Sequence, residues 1–530
     1  MDHSLLPGDD ERDLADTEIQ DIEQASETLD NTESGPDYHA TNEEGFAEAG
    51  PLDVNYQSQD GNILWSPSPP PQTAASLPDE CVIKKTPGPS KFACSHVEDV
   101  KSSFDLFFSN DMKKILCTLT NEEGKRVLGK GWRELDWIDL QGYIGLLILA
   151  GVYRSRHEAL SSLWHAETGR PIFRATMKMS DFQAFSRTFC LSNKDKRQEK
   201  HDKLAEIRDI WEKWIKRLRS MYNPGANVTV DEGMVRFRGR CPFKQFIPHK
   251  LGKYGMKVWA ACDARTSYVL SMQVHTGEPA YGQPEKDEAS RLVLNMTSGL
   301  QGQTITCHNY FTSYTLGQKL LKKKLTMIGK VEKNKTELPL ALLTYHKRAP
   351  CSSMFAFTDT HTVVSYYSER KRMLFMSTHH KDDTVSIEDD KKPSILLDYN
   401  RTKDAVNNLY KVLDRYSCKR STSRWSMAIF YSMLDVSAYN AFVVWKEVNP
   451  LWNQGKSYKR RLFLEELGSA LVFPLMERRQ FIPRTPASLS VLMEAQHLKR
   501  PLPCLPKRKR CHVCDKEKKK QKNLHDVPKM

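Results

Sequence analysis

Asp231 is the residue that type and surroundings best fit for chemistry. It closes the alternating stretch "NVTVD", and the basic run "RFRGRCPFKQFIPHKLGKYG" follows shortly after. A carboxylate at a strand end beside such a run could hold Mg²⁺, which takes hard oxygen ligands, next to a phosphate. Phosphoryl transfer often uses a pair of these ions. The bland alternative is a turn residue, the commoner fate of an Asp after a strand. A second candidate lies in "QTITCHNYFTSYT" (303–315), where strand formers give way to a helix start. Its junction, Cys307-His308-Asn309, offers a histidine and an amide. A third is Cys511-His512-Val513-Cys514, half of a zinc knuckle. Cys504, Cys511 and Cys514 with His512 or His525 would supply four donors, but a lone CxxC pair also fits a metal-free tail, which is the favoured reading.

The chain that must position these residues has 530 residues and a formal net charge of +13. The charge is uneven. Residues 1–60 hold eighteen Asp or Glu against the single Arg12, so the remainder carries 78 basic and 48 acidic residues, close to +30. An acidic arm on a basic body points to a polyanion as partner, solubility alone being the alternative. The twelve cysteines are scattered from Cys81 to Cys514, unlike a disulfide-dense secreted domain. The start lacks a basic and then apolar leader pattern. The stretch Leu146–Ala150 is far short of the roughly 20 residues that span a bilayer. The expectation is a soluble, reducing setting without a membrane.

Residues 1–100 read as a disordered acidic arm, poor in apolar residues and ending in "WSPSPPPQTAASLPDE". Within it, "GNILW" reads as a chance apolar cluster rather than a docking motif. Residues 101–225 read as helical: "DWIDLQGYIGLLILAGVYR" is apolar nearly all round, and Ile207, Trp211, Trp214, Leu218 and Met221 recur at helical spacing. The opposite face carries Lys213, Lys216, Arg217 and Arg219, most simply a solvated face. Strands follow at 227–237, 254–264, 267–277, 303–307 and 325–331, with a helix at about 313–323. The pattern predicts an α/β fold around a mixed sheet. Residues 333–393 read as an insertion, and helices resume from 402.

Several blocks then resemble one known family. "VTVDEGMVRFRGRCPFKQFIPHKLGKYGMKVWAACDARTSYVL" resembles the core of piggyBac transposases and the host proteins derived from them. "LQGYIGLLILAGVYRSRHEALSSLW", "TCHNYFTSYTLGQKLLKKKLTMIGKVEKNKTELP" and "LLDYNRTKDAVNNLYKVLDRYSCKRSTSRWSMAIFYSMLDVSAYNAFVVW" resemble its other blocks, in family order, over roughly residues 104–470. Separated blocks in one order are a specific match. The resemblance implies an RNase H-like core in two parts, 226–332 and 394–416, interrupted by an insertion domain at 333–393. It also implies a flanking helical region for dimerisation and DNA binding at 101–225 and 417–495. A basic tail follows at 496–530; many relatives end in a zinc-binding cysteine-rich domain.

The family holds two Mg²⁺ with three aspartates. Asp231 matches the first. Where the pattern has Cys-Asp-Asn, this chain has Cys307-His308-Asn309. Where it has Gly-Gly-Val-Asp and a further Asp three residues on, this chain has Asp404-Ala405-Val406-Asn407 and then Tyr410. His308 and Asn407 thus stand at degenerate catalytic positions. Asn offers a neutral carbonyl and His a nitrogen that suits zinc better than Mg²⁺. Asp404 lies a helical turn from Asn407, about 5 Å along the axis, too far to replace it. Asp263 is expected in a structural turn, and Glu232 is expected to point away from Asp231. The expectation is a nuclear, DNA-binding, domesticated pseudoenzyme without productive Mg²⁺ binding. The competing readings are an active transposase and a protein-interaction scaffold working through the acidic arm. The expected phosphate contacts are Arg236, Arg238, Arg240, Lys244, Lys250, Lys253 and Lys257, with Lys419, Arg420 and Arg424. Lys507–Arg510 and Lys516–Lys522 are expected to serve nuclear import or DNA tethering.

Overall fold

A computed structural model describes residues 55–71, 82–193, 202–247, 253–277, 287–343, 348–369, 371–480 and 482–496. The main elements in chain order are α1 (Asn110–Leu128), α2 (Trp137–Val152), α3 (Arg208–Met221), β1 (Asn227–Arg236), β2 (Lys244–Phe246), β3 (Tyr254–Asp263), β4 (Val269–Val274), β5 (Thr304–Cys307), α4 (Tyr314–Lys322), β6 (Thr326–Lys330), β7 (Ser352–Phe357), β8 (Thr362–Tyr367), β9 (Arg372–Ser377), α5 (Ser394–Thr402), α6 (Ala405–Arg415), α7 (Trp425–Val448) and α8 (Lys459–Glu477). One sheet of nine strands runs β7-β8-β9-β6-β5-β1-β3-β2, with β4 also paired to β3. Only β6/β5 and β5/β1 are parallel, so the sheet is mixed, as expected. Strands β7 to β9, in the stretch read as an insertion, continue this sheet through the antiparallel pair β9/β6.

Each layer follows from its sequence pattern. Strands β1, β3 and β5 are buried nearly throughout, as strands covered on both faces must be. In α3, Ile210, Trp211, Trp214, Leu218 and Met221 are buried on one stripe. Trp214 donates from its indole Nε1 to Ser437 Oγ at 2.9 Å, tying α3 to α7. α7 has the length and apolarity of a membrane span, yet 78% of its most apolar window is buried inside the protein; it is a core helix. α2 is buried from Asp139 to Val152 and crosses α8 at close range. A Cβ on Gly145 would meet Val472 Cγ1 at 2.7 Å and the Gly468 carbonyl at 3.0 Å. The early and late helical regions therefore form one body, although far apart in sequence.

Two expectations are corrected. The arm is not featureless to residue 100: Lys91–His96 and Val100–Asp105 are helices, each with a side-chain N-cap, Ser90 and Asp99. And "GNILW" is no chance cluster, because Trp65 is fully buried against the core. Burial of a whole indole offsets the cost of ordering a short segment that composition alone marks as disordered.

The loop entering α7 contains a pH-sensitive contact. Asp435 accepts from Ser417 Oγ at 2.6 Å and from the Cys418 N–H at 2.8 Å. Burial outweighs these bonds and raises its carboxyl to about 6. The folded state then holds a proton that the unfolded state releases near pH 4. Its contribution to stability is therefore present below about pH 4 and lost as pH rises to about 6. Some solvent reaches this residue, so the loss is about 1–2 kcal/mol. Urea midpoints of wild type and Asp435→Asn at pH 4 and pH 7 should show this slope in wild type only.

Candidate functional site

The register of two parallel strands creates the site. β1 pairs with β5 so that Thr229 faces Thr306 and Val230 faces Cys307. The next residues are Asp231 and His308, which the pairing brings to neighbouring positions about 4.8 Å apart in the backbone. Side chains two apart on a strand share a face. Thr229 Oγ1 donates to the Thr402 carbonyl at 2.5 Å, and Thr306 Oγ1 to Thr402 Oγ1 at 2.7 Å. These buried hydroxyls pin the end of α5 to the face that carries Asp231.

Further along the same face, Gly233 is covered by Tyr410 of α6. A Cβ at Gly233 would lie 1.8 Å from Tyr410 Cε2. Along this face Asp231 lies between Thr229, bonded to Thr402, and Gly233, covered by Tyr410, which follows the first turn of α6. That turn carries Asn407, and a helix brings residues three apart to one side. Asp231 and His308 thus follow paired positions on adjacent strands, and Asn407 lies three residues before Tyr410 on the helix that covers Gly233. Asp404 precedes α6 as its N-cap residue, and its carbonyl accepts from the Asn408 N–H at 2.8 Å.

The surroundings are tight and apolar. Asp231 is 6% exposed and accepts from the Glu232 N–H at 2.7 Å. Burial, and behind it the Asp231 charge, push the thiols of Cys307 and Cys262 well up; Asp263 adds to the effect on Cys262. Burial, followed by Cys262 and Asp231, raises the Tyr410 phenol, whose hydroxyl finds no hydrogen-bond partner among the described residues. His308 starts a turn: its carbonyl accepts from Phe311 N at 3.0 Å and Thr312 Oγ1 at 3.1 Å. Asn309 Nδ2 donates to Glu332 Oε1 at 3.1 Å.

Other carboxylates have structural partners. Asp263 accepts from Gly225 N, Thr266 N and Thr266 Oγ1, each at 2.8 Å, which is the expected turn role. Glu232 pairs with Lys257 at 2.5 Å, facing away from Asp231. Lys257 also sits 4.0 Å over Trp259, and Trp259 stacks on Tyr310 at 5.4 Å. This aromatic platform, on the sheet face of Glu232 opposite Asp231, was not anticipated; the aromatic two residues after His308 was its only signal.

The cations expected to meet phosphate divide into two groups. Arg236 pairs with Asp414 at 3.2 Å, as does Arg156 at 2.8 Å. Lys419 donates to the Arg236 carbonyl, and burial, followed by the Arg156 and Arg236 charges, lowers its amine to about 8. Arg420 donates to the carbonyls of Ser155 and Glu158, and Arg424 to those of Arg187 and Phe189. With Lys257, these residues satisfy internal acceptors. On the α3 face, Arg217 and Arg219 do the same, toward Leu106 and toward Ser271 and Asn295. Arg238, Arg240, Lys244 and Lys253 are exposed around the edge strand β2. The exposed pair Phe246 and Tyr254, 4.7 Å apart, lies among them. Lys250, the zinc candidates Cys504, Cys511, His512 and Cys514, and residues 1–54 and 72–81 of the acidic arm lie outside the described residues.

The family model described as "Transposase IS4" matches residues 100–442. Among solved structures the chain is similar to that of a piggyBac transposase synaptic complex with hairpin DNA. The identity is 26%, the match covers 82% of this chain and 94% of that one, and the TM-score is 0.72. A model spanning most of the chain and a shared fold agree with the blocks seen in the sequence, and the chain belongs to the piggyBac transposase family.

Proposed function

We propose that this protein is a transposase-derived nuclear DNA-binding protein, built on an RNase H-like core, that does not carry out strand transfer. The observation supporting the loss is the donor set around Asp231. Two Mg²⁺ ions held close together need several negative oxygen ligands. Asp231 supplies one carboxylate, His308 a nitrogen, Asn407 a neutral amide, and Tyr410 a buried phenol over Gly233. This set does not fit a pair of Mg²⁺ ions. The intact scaffold around the corner, with Thr402 pinned to β1 and β5, supports a fold retained for binding.

DNA binding is supported by the charge of the body and by the exposed cations at β2. The similar transposase was solved with hairpin DNA. The basic clusters of the tail suit nuclear import. If Arg238, Arg240, Lys244 and Lys253 each neutralise a phosphate, affinity should fall roughly 100-fold between about 50 and 200 mM salt. A gel shift with transposon-end and random DNA at both salt levels checks this. Replacing the four by Gln should flatten the salt slope by about four. Absence of binding at the lower salt would remove the DNA reading.

A further inference from the structure

The segment at residues 55–66 is built as a ligand for the rest of the chain. Tyr56–Gln57 pairs antiparallel with Leu64–Trp65. The turn between them is preorganised. Gly61 sits at φ 73°, where a glycine is favoured, and Asp60 Oδ1 accepts from Ser58 Oγ and Asn62 N. Its outward backbone groups are spent on the body. Gln59 N donates to the Leu338 carbonyl and Asp60 N to the Thr336 carbonyl, both at 3.1 Å. Ser66 and Phe357 exchange two backbone bonds of 2.8 Å, which extends the outer edge of β7 by one rung. Trp65 turns inward with no exposure, its Nε1 donating to the Glu337 carbonyl at 3.1 Å, while Leu64 is 63% exposed.

The receptor is continuous with the degenerate site. The Trp65 ring meets Tyr314 edge-on at 5.8 Å, and Tyr314 stacks on the buried His361 at 4.1 Å. Tyr314 N donates at 2.7 Å to Glu337 Oε1, in the same residue whose carbonyl holds Trp65. Glu332, at the start of that loop, holds Asn309. One loop thus grips the clip on one side and the His308–Tyr314 turn on the other.

We propose that the surface formed by residues 335–339, Tyr314 and the Phe357 end of β7 is a docking site for a turn-and-tryptophan peptide. Its occupant is the chain's own segment 55–66, and occupancy orders the His308–Tyr314 turn. Recognition combines β-strand addition with one buried aromatic anchor, a recurring way to bind short peptides. The site carries no catalytic group; it tethers the acidic arm to the outer edge of the sheet, with four strands between β7 and the strand of Asp231.

Hydrogen exchange on the full chain tests it. Wild type should protect the amides of Gln59, Asp60, Ser66 and Phe357 at least tenfold over a free peptide. Trp65→Ala should lose that protection and accelerate exchange at 309–317 and 335–339, with β1 and β3 unchanged. Millimolar peptide of sequence 55–66 added to the full-length variant should restore it. Free-peptide exchange of 55–66 in wild type, or unaltered exchange at 309–317 in Trp65→Ala, would overturn the proposal. A wild-type dimer that Trp65→Ala converts to monomer would assign the occupant to a second copy and overturn the assignment within one chain.

Discussion

The variant His308→Asp/Asn407→Asp should bind Mn²⁺ and excise a transposon from a plasmid, whereas the unaltered chain should do neither. The reasoning is geometric before it is chemical. Asp231 and position 308 follow the last paired residues of two parallel strands, and Asn407 lies three residues before Tyr410, the ring that covers Gly233. Two substitutions would place three carboxylates at one corner without rebuilding the backbone. Ligand charge count tunes divalent affinity over several decades, so a gain of at least about 100-fold in Mn²⁺ affinity is expected. Titration calorimetry reads the affinity, and a plasmid excision assay reads the chemistry. Metal binding without excision would point to the Tyr410 ring as a separate block, and Tyr410→Asp added to the pair would then be needed. Robust excision by the unaltered chain, abolished by Asp231→Ala, would defeat the proposed loss of activity.

The second large effect concerns packing at the same corner. Gly233→Val should destabilise the protein by about 3 kcal/mol, the upper part of the overpacking range. The new Cβ alone would sit 1.8 Å from Tyr410 Cε2 and 2.1 Å from Cζ. The ring has little room to retreat, since α6 is buried along Ala405, Val406, Leu409 and Leu413. Adding Tyr410→Ala should recover at least about 1 kcal/mol, the signature of two residues in direct contact. Denaturant midpoints of the two single variants and the double variant measure the coupling. Additive effects would show that the ring does not rest on Gly233 in solution.

Much of this arrangement was legible in the sequence, and the legible part has a common cause. Strand β1 and helix α3 declare themselves by local periodicity, and the strands at 227 and 303 stand in two matched blocks, whereas their register appears only in the structure. What could not be read depends on distant partners. Trp65 sits in two-residue strands that have no periodicity, and its burial is earned against residues 272 positions away in the hydrogen bond to Glu337. Lys419, Arg420 and Arg424 look like phosphate ligands in a linear chain. Their real acceptors are carbonyls exposed by turns elsewhere, and a sequence does not show which carbonyls a turn leaves open. The predicted helix from 402 likewise divides, because Thr402 is committed to β1 and β5 while α6 starts anew at Ala405.

The close crossing of α2 and α8 has a consequence for how the protein is made. Gly145 meets Gly468 and Val472, residues more than 300 positions later. During synthesis at about 5–20 residues per second, α2 waits roughly 16–65 seconds for its partner to emerge. Throughout that interval the face of α2 that meets α8 stays uncovered, although Phe182, Phe185 and Phe189 reach Tyr143 early. The nascent chain should therefore depend on chaperones holding residues 137–152 until the ribosome has released α8.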